Sequence, residues 1–275
     1  MRTALFLSLF IPFTLFGQKE PNKWIDSVIT QIENTQGDEQ LKTQIRLLQH
    51  YVHNSTENAQ ALAAEIEPLI AATKDTGLKA EGKFWMASVE FTTQLYDQAE
   101  IHYKEAAEHY LKSDNHKGYV TSINQLGYMY SMIDRFQDGI EILIGSLAFC
   151  DSLGLEESKV RALGSLGFNY RLASQYDKAR EYFELYRDAA RRANKPHEEY
   201  TAVNEIGNLF NISGDFDSAI VYHEHALDLK IKAKAPDYVM SWSYNDLGTD
   251  YYFNGQYNEA LKYFKRSLSM DHETK

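Results

Sequence analysis

The chain has 275 residues, with 28 basic and 39 acidic side chains, a formal charge of −11 and a hydrophobic fraction of 44%, enough to build a core. A single Cys excludes a disulfide scaffold and any multi-cysteine metal site. The acidic balance argues against nucleic acid, whose phosphates demand an excess of Lys and Arg, and 19 Tyr, 14 Phe and 3 Trp beside only 5 Pro argue against disorder.

The first residues form a separate object. Arg2 precedes an apolar run from Ala4 to Phe16, and Gly17-Gln18 then lead into Lys19-Glu20. The run is 13 residues long, whereas a helix that spans a bilayer needs about 20. This pattern predicts a secretory signal over residues 1–17, cleaved after Gly17, and hence an exported chain on the periplasmic or extracellular face. The alternatives are an uncleaved anchor or a buried N-terminal helix. No Cys follows the run, so a lipoprotein is excluded. Residues 18–37 read as a linker and a helix from Trp24 to about Thr35.

A period of 40 residues organises the remainder of the chain. Gly127, Gly167, Gly207 and Gly248 stand in one frame, preceded by Leu126, Leu166, Ile206 and Leu247, with Ala87 one period upstream. A second small position recurs twelve residues later, at Ala99, Gly139, Ala179, Ala219 and Ala260. Three residues before it stands an aromatic each time: Tyr96, Phe136, Tyr176, Phe216 and Tyr257. A degenerate copy fills residues 38–78, with Leu47 and Ala59 in the small positions, and the array proper covers 79–272 in units near 79–115, 116–155, 156–195, 196–235 and 236–272.

Each unit reads as a helical hairpin. Ile123, Leu126, Met129, Tyr130 and Ile133 fall at helical spacing. Gly214 and Gly255 supply the left-handed turn that ends a first helix, with Asp134 and Ser174 in that place in earlier copies. Asp177, Asp217 and Asn258 suit the cap of the second helix, and Pro196 and Pro236 suit the first position of the next unit. One hairpin cannot bury both its faces, so the copies must stack.

The pattern resembles the tetratricopeptide repeat. A small residue followed three later by Tyr appears as Gly127 with Tyr130, Gly167 with Tyr170, Gly207 with Phe210 and Gly248 with Tyr251. The downstream pair appears as Ala99 with Tyr103, Ala179 with Phe183 and Ala260 with Phe264, while Gly139 with Leu143 and Ala219 with His223 are imperfect copies. The unit is longer than the family's usual one of about 34 residues. The resemblance implies an all-α, right-handed superhelical solenoid of helical hairpins.

No catalytic constellation is visible. There is no phosphate-cradling glycine loop followed by Lys-Ser/Thr, no His-Glu-x-x-His and no cysteine pair, and the carboxylates read as scattered over helix surfaces. His50 with His53, His102 with His109 and His116, and His223 with His225 do not converge as metal ligands and read as partly exposed helix residues. No catalytic residue, cofactor or metal is therefore assigned. A basic run from Lys159 to Lys195 is either a docking patch for an acidic partner or a solvated face with pairs such as Asp188 to Arg192.

In the family that the chain resembles, the first helices line a concave groove. The implied groove positions lie three residues before the first small residue and one, four and five after it. The candidate site is then Asn124, Tyr128, Arg161, Phe168, Arg171, Asn204, Asn208, Asn211, Trp242, Asn245 and Tyr252. Asparagine is a poor helix former, yet it recurs on this face, where its amide offers a donor and an acceptor to a peptide unit of an extended ligand. The alternative is that these asparagines bridge neighbouring helices. Arg161 and Arg171 would hold a carboxylate. The resemblance implies a non-enzymatic scaffold whose partner is a protein or peptide, with no nucleic acid through this region. Exported arrays of this look resemble the N-terminal sensory region of histidine kinases or transcriptional regulators with such repeats. The end at Lys275, with no polar closing helix, suggests that reading, in which a membrane is involved only if the native chain continues. A complete stand-alone adaptor is the alternative, and an enzyme with an unrecognised site is a third reading.

Overall fold

The computed structural model describes residues 23–273, which form thirteen helices. They are α1 (Lys23–Glu33), α2 (Gly37–Asn54), α3 (Thr56–Ala72), α4 (Thr76–Thr92), α5 (Tyr96–Lys112), α6 (His116–Met132) and α7 (Phe136–Leu153). Then come α8 (Glu156–Leu172), α9 (Tyr176–Arg192), α10 (Pro196–Ser213), α11 (Phe216–Lys232), α12 (Asp237–Phe253) and α13 (Tyr257–Glu273). The predicted secretory signal lies outside the described residues. After α1 the helices pair as hairpins, and the hairpins stack into an all-α solenoid.

The turns inside the hairpins share one geometry. Gln94, Asp134 and Ser174 have φ of 62°, 61° and 57°, and Gly214 and Gly255 have 80° and 75°. The stop positions read from the sequence are therefore left-handed, with or without glycine. The residue after each turns its N–H back five residues, as in Arg135 to Tyr130 O and Gln175 to Tyr170 O, both 2.8 Å. These bonds satisfy carbonyls that the helix end would leave open. Two or three residues separate the helices of a hairpin, and the second helix starts on the aromatic itself. Asp177 and Asp217 consequently lie inside the first turn rather than at the cap, and Asn258 lies inside α13. In the first turn a carboxylate still favours the positive end of the helix dipole. At α11 the cap is Asp215, which accepts from Ser218 N at 3.1 Å. Pro196 opens α10 as its first residue. Pro236 instead precedes α12, with an extended ψ of 151°.

Within a hairpin, the first small residue receives a side chain from the second helix. A Cβ built on Gly127 would lie 2.7 Å from Leu143, on Gly167 2.5 Å from Phe183, on Gly207 2.5 Å from His223 and on Gly248 2.6 Å from Phe264. Phe183 and Leu143 are fully buried. Glycine is needed there because the facing side chain lies flat on the backbone. The imperfect copies Leu143 and His223 take the same seat as the rings.

Successive first helices touch one another, α4 with α6, α6 with α8 and α8 with α10, and no successive second helices pack in this way among the described residues. The first helices are thus the inner layer and the second helices the outer one. Gly167→Ala is expected to destabilise the chain by about 1–3 kcal/mol, because it overpacks a filled seat. Gly145→Ala, where a Cβ meets nothing within 4 Å on α7, should stabilise it by about 0.8–1 kcal/mol. Urea unfolding of the two variants checks both signs.

Candidate binding groove on the inner layer

Side chains of a helix repeat their direction every 3.6 residues. Positions six and two before the small residue, and one and five after it, therefore share one stripe. On that stripe the position five after is apolar in four consecutive units and stands out of the core: Met132 is 52% exposed, Leu172 37%, Ile212 47% and Phe253 58%. The position one after holds Tyr128, 44% exposed, followed by half-buried Phe168, Asn208 and Thr249. The position six before holds exposed Arg161 and, on α12, Trp242, which is 64% exposed. Together these residues form an apolar ladder with aromatic and polar edges along the inner layer.

The positions three before and four after turn toward the neighbouring first helix. Ser131 Oγ donates to Asn169 Oδ1 at 2.5 Å, and Arg171 Nε lies 3.1 Å from Glu205 Oε2. Asn204 Nδ2 lies 3.4 Å from Asp246 Oδ2, and Asn211 Nδ2 donates to Asp250 Oδ1 at 2.6 Å. All four contacts bridge consecutive first helices. Asn124, in the same column as Asn204, is buried with neither amide atom partnered. Asn245 and Tyr252 occupy the equivalent places on α12 and are exposed.

The candidate residues thus divide. Tyr128, Arg161, Phe168, Asn208 and Trp242 line the groove. Asn124, Arg171, Asn204 and Asn211 sit in the seam between helices, and Asn245 and Tyr252 are on the exposed flank of α12. Tyr128 meets Phe91 edge-on at 5.9 Å, and Trp242 meets Tyr238 at 5.5 Å. Phe168 packs on Phe183 with the Arg171 guanidinium 5.7 Å above its ring. The basic run is largely neutralised: Lys159 pairs with Asp151, Arg171 with Glu205, Arg187 with Asp188, Arg191 with Glu199 and Lys195 with Glu157. Arg187, rather than Arg192, pairs with Asp188.

Beneath the seam of α10, α11 and α12 lies a buried polar cluster that the sequence reading missed. His223 is 2% exposed and Asp250 1%, with Nδ1 and Oδ2 in contact at 2.5 Å. The other ring nitrogen faces the Asn204 carbonyl at 3.2 Å. The Asn204 carbonyl can only accept, so Nε2 is the donor there, and a proton is shared between Nδ1 and the Asp250 carboxyl. Lys230, 5% exposed, donates to Asn204 Oδ1 at 2.8 Å and Ser243 Oγ at 2.6 Å, with the Tyr200 ring 5.5 Å away. Burial holds the Lys230 ammonium below its ordinary range, partly countered by Asp246 and Glu205. Burial also pushes the Glu205 and Asp246 carboxyls above theirs, against the pull of Arg171 on the first and His223 on the second.

This corrects two sequence-based expectations. His223 is a core residue rather than a partly exposed one, and carboxylates do converge between first helices. His102 is also engaged, 2.8 Å from Glu90. The signal was the repeat frame. His223 stands in the column of Tyr103, Leu143, Phe183 and Phe264, Lys230 in that of Tyr110, Cys150 and Ala190, and Asp250 in that of Val89, Met129 and Leu209. A polar residue in a column that is otherwise core must find a partner. Among the described residues no group of His, Cys, Asp and Glu is arranged to hold a metal ion, and no helix is long and apolar enough to cross a membrane.

Residues 198–272 match the family model of the tetratricopeptide repeat. Among solved structures, the chain is similar to BtubC from P. vanneervenii, with 19% identity over 85% of this chain and 92% of that one and a TM-score of 0.66. It is similar to the apo form of RapI, with 17% identity over 92% and 75% and a TM-score of 0.68. It is also similar to a Rap protein complexed with competence and sporulation factor, with 12% identity over 90% and 79% and a TM-score of 0.65. No curated protein sequence matches. The chain has the fold of a helical-repeat solenoid, and its residues 198–272 match the tetratricopeptide repeat.

Removing one partner of the His223–Asp250 pair should be severe. Asp250→Leu leaves the buried His223 ring without its partner and should cost about 3–5 kcal/mol. Adding His223→Phe, which restores the ring found in neighbouring units, should return most of that loss, as replacement of a buried ion pair by apolar residues often does. Urea unfolding of the two single variants and the double variant measures the coupling.

Proposed function

We propose that this chain is a non-enzymatic scaffold that holds a segment of a protein or peptide on its inner face. We propose further that it is exported and serves as the ligand-sensing or interaction region of a bacterial signalling protein. The observation that carries the binding reading is the exposed ladder of Met132, Leu172, Ile212 and Phe253. A row of large apolar side chains left in water on one face marks an interaction surface. The aromatic edges Tyr128 and Trp242 suit the anchors that dominate binding energy. A Rap protein of the same fold is solved with a bound factor, which supports this use of the architecture. The export reading rests on Arg2 and the apolar run from Ala4 to Phe16.

Photo-crosslinking in the source cells tests the binding reading. A benzophenone amino acid placed at Leu172 or Ile212 should capture the same partner, whereas placement at Val221, 63% exposed on α11 of the outer layer, should not. Equal capture from all three positions would contradict a dedicated inner face. The intact mass of the native product separates the signalling reading from its alternative. A mass well above 31.7 kDa supports an attached output region, and one slightly below it supports a processed, stand-alone adaptor.

A further inference from the structure

The joint between α11 and α12 differs from the others in what its two sides demand of each other. Asp250 of α12 meets His223 of α11 and Asn211 of α10, and Ser243 of α12 accepts from Lys230 of α11. In the column of Asp250 the helices α4, α6, α8 and α10 carry Val89, Met129, Asn169 and Leu209. In the column of Ser243 they carry Gly82, Ser122, Ala162 and Ala202. Among these first helices α12 alone brings a carboxylate to the one place together with a hydroxyl at the other. On the receiving side, His223 and Lys230 stand where α5 has Tyr103 and Tyr110, α7 has Leu143 and Cys150, and α9 has Phe183 and Ala190.

An array of like hairpins has an ordering problem. Each second helix offers a face to a first helix, and apolar burial is non-directional. Units that share apolar columns can therefore stack in the wrong order or on a second copy, a characteristic failure of repeat proteins. Consider α10 of a second copy stacked on α11 in place of α12. By the same columns, Leu209 would cover His223 and Ala202 would cover Lys230. Two polar groups, 2% and 5% exposed in the native joint, would stay buried and lose their partners, which is costly. On α9 the same helix meets Phe183 and Ala190, its native neighbours, and nothing polar is stranded. A buried polar group thus discriminates by penalising the wrong neighbour rather than by strengthening the right one. The contact it penalises is head-to-tail between copies, the kind that does not close and grows into open chains.

We infer that His223, Lys230 and Asp250 form an order key, which admits α12 onto α11 and excludes the first helix of any other hairpin, from the same chain or from a second copy. The key is independent of what the inner face binds. The test compares the whole chain with a triple variant, His223→Phe, Lys230→Ala and Asp250→Leu, which gives this joint the residues that Phe183, Ala190 and Leu209 supply between α9 and α10. Each protein is unfolded in urea, diluted back at low and at high protein concentration, and separated by size-exclusion chromatography with light scattering. The unmodified chain should return to the species present before unfolding. The triple variant should unfold as cooperatively, yet leave a concentration-dependent misassembled fraction at least about tenfold larger. The double variant His223→Phe with Asp250→Leu, which keeps Lys230, should fall between the two. Clean refolding of the triple variant would overturn the inference, and so would equal misassembly of the unmodified chain. A triple variant that no longer unfolds cooperatively would overturn it as well, because the cluster would then be holding the joint rather than selecting its occupant.

Discussion

The contact between a backbone with no Cβ and a side chain laid flat upon it sets the rest of this structure. Where Phe183 meets Gly167 and Phe264 meets Gly248, the two helices of a hairpin close to a distance that no larger residue permits. That closeness fixes the register of each hairpin, and repetition of the register stacks the hairpins with all first helices on one side. The inner layer is therefore a product of packing chemistry repeated at 40-residue intervals. Each hairpin buries its faces only against its neighbours, as a one-dimensional array requires.

The departure from that scheme is at α10, α11 and α12. Three columns that are apolar in most other units hold His223, Lys230 and Asp250 here, and the helices are joined by hydrogen bonds in addition to apolar packing. Such a cluster is weak evidence for stability, since its desolvation offsets much of the attraction. Its geometric consequence is clearer. It engages Asn204 and Asn211 in the seam, while Ile212, Trp242 and Phe253 stay exposed beside it.

Much of the fold was legible in the sequence because its signals are local and repeated. Gly127, Gly167, Gly207 and Gly248 stated the hairpin contact, and Asp134, Ser174, Gly214 and Gly255 stated the turns. The start of the second helix was misplaced because a turn of two or three residues lets the aromatic enter the helix. The site was less legible. Asn204 and Met132 or Ile212 stand in columns close together around one helix, at 100° per residue, so a groove position and a seam position are hard to separate without the neighbouring helix. The asparagine pattern was real, but its partners lie on the next first helix, 42 residues away for Asn204 and 39 for Asn211. His223 was misread because its isolated spacing to His225 was weighed instead of its place in the repeat column.

Hydrogen–deuterium exchange of the whole chain, free and bound to the partner captured in cells, tests the central claim most directly. A partner held on the inner layer should slow exchange in α8, α10 and α12 and leave α9 and α11 unchanged between the two states. Protection confined to the second helices would place the partner on the outer layer and contradict the inner-groove reading.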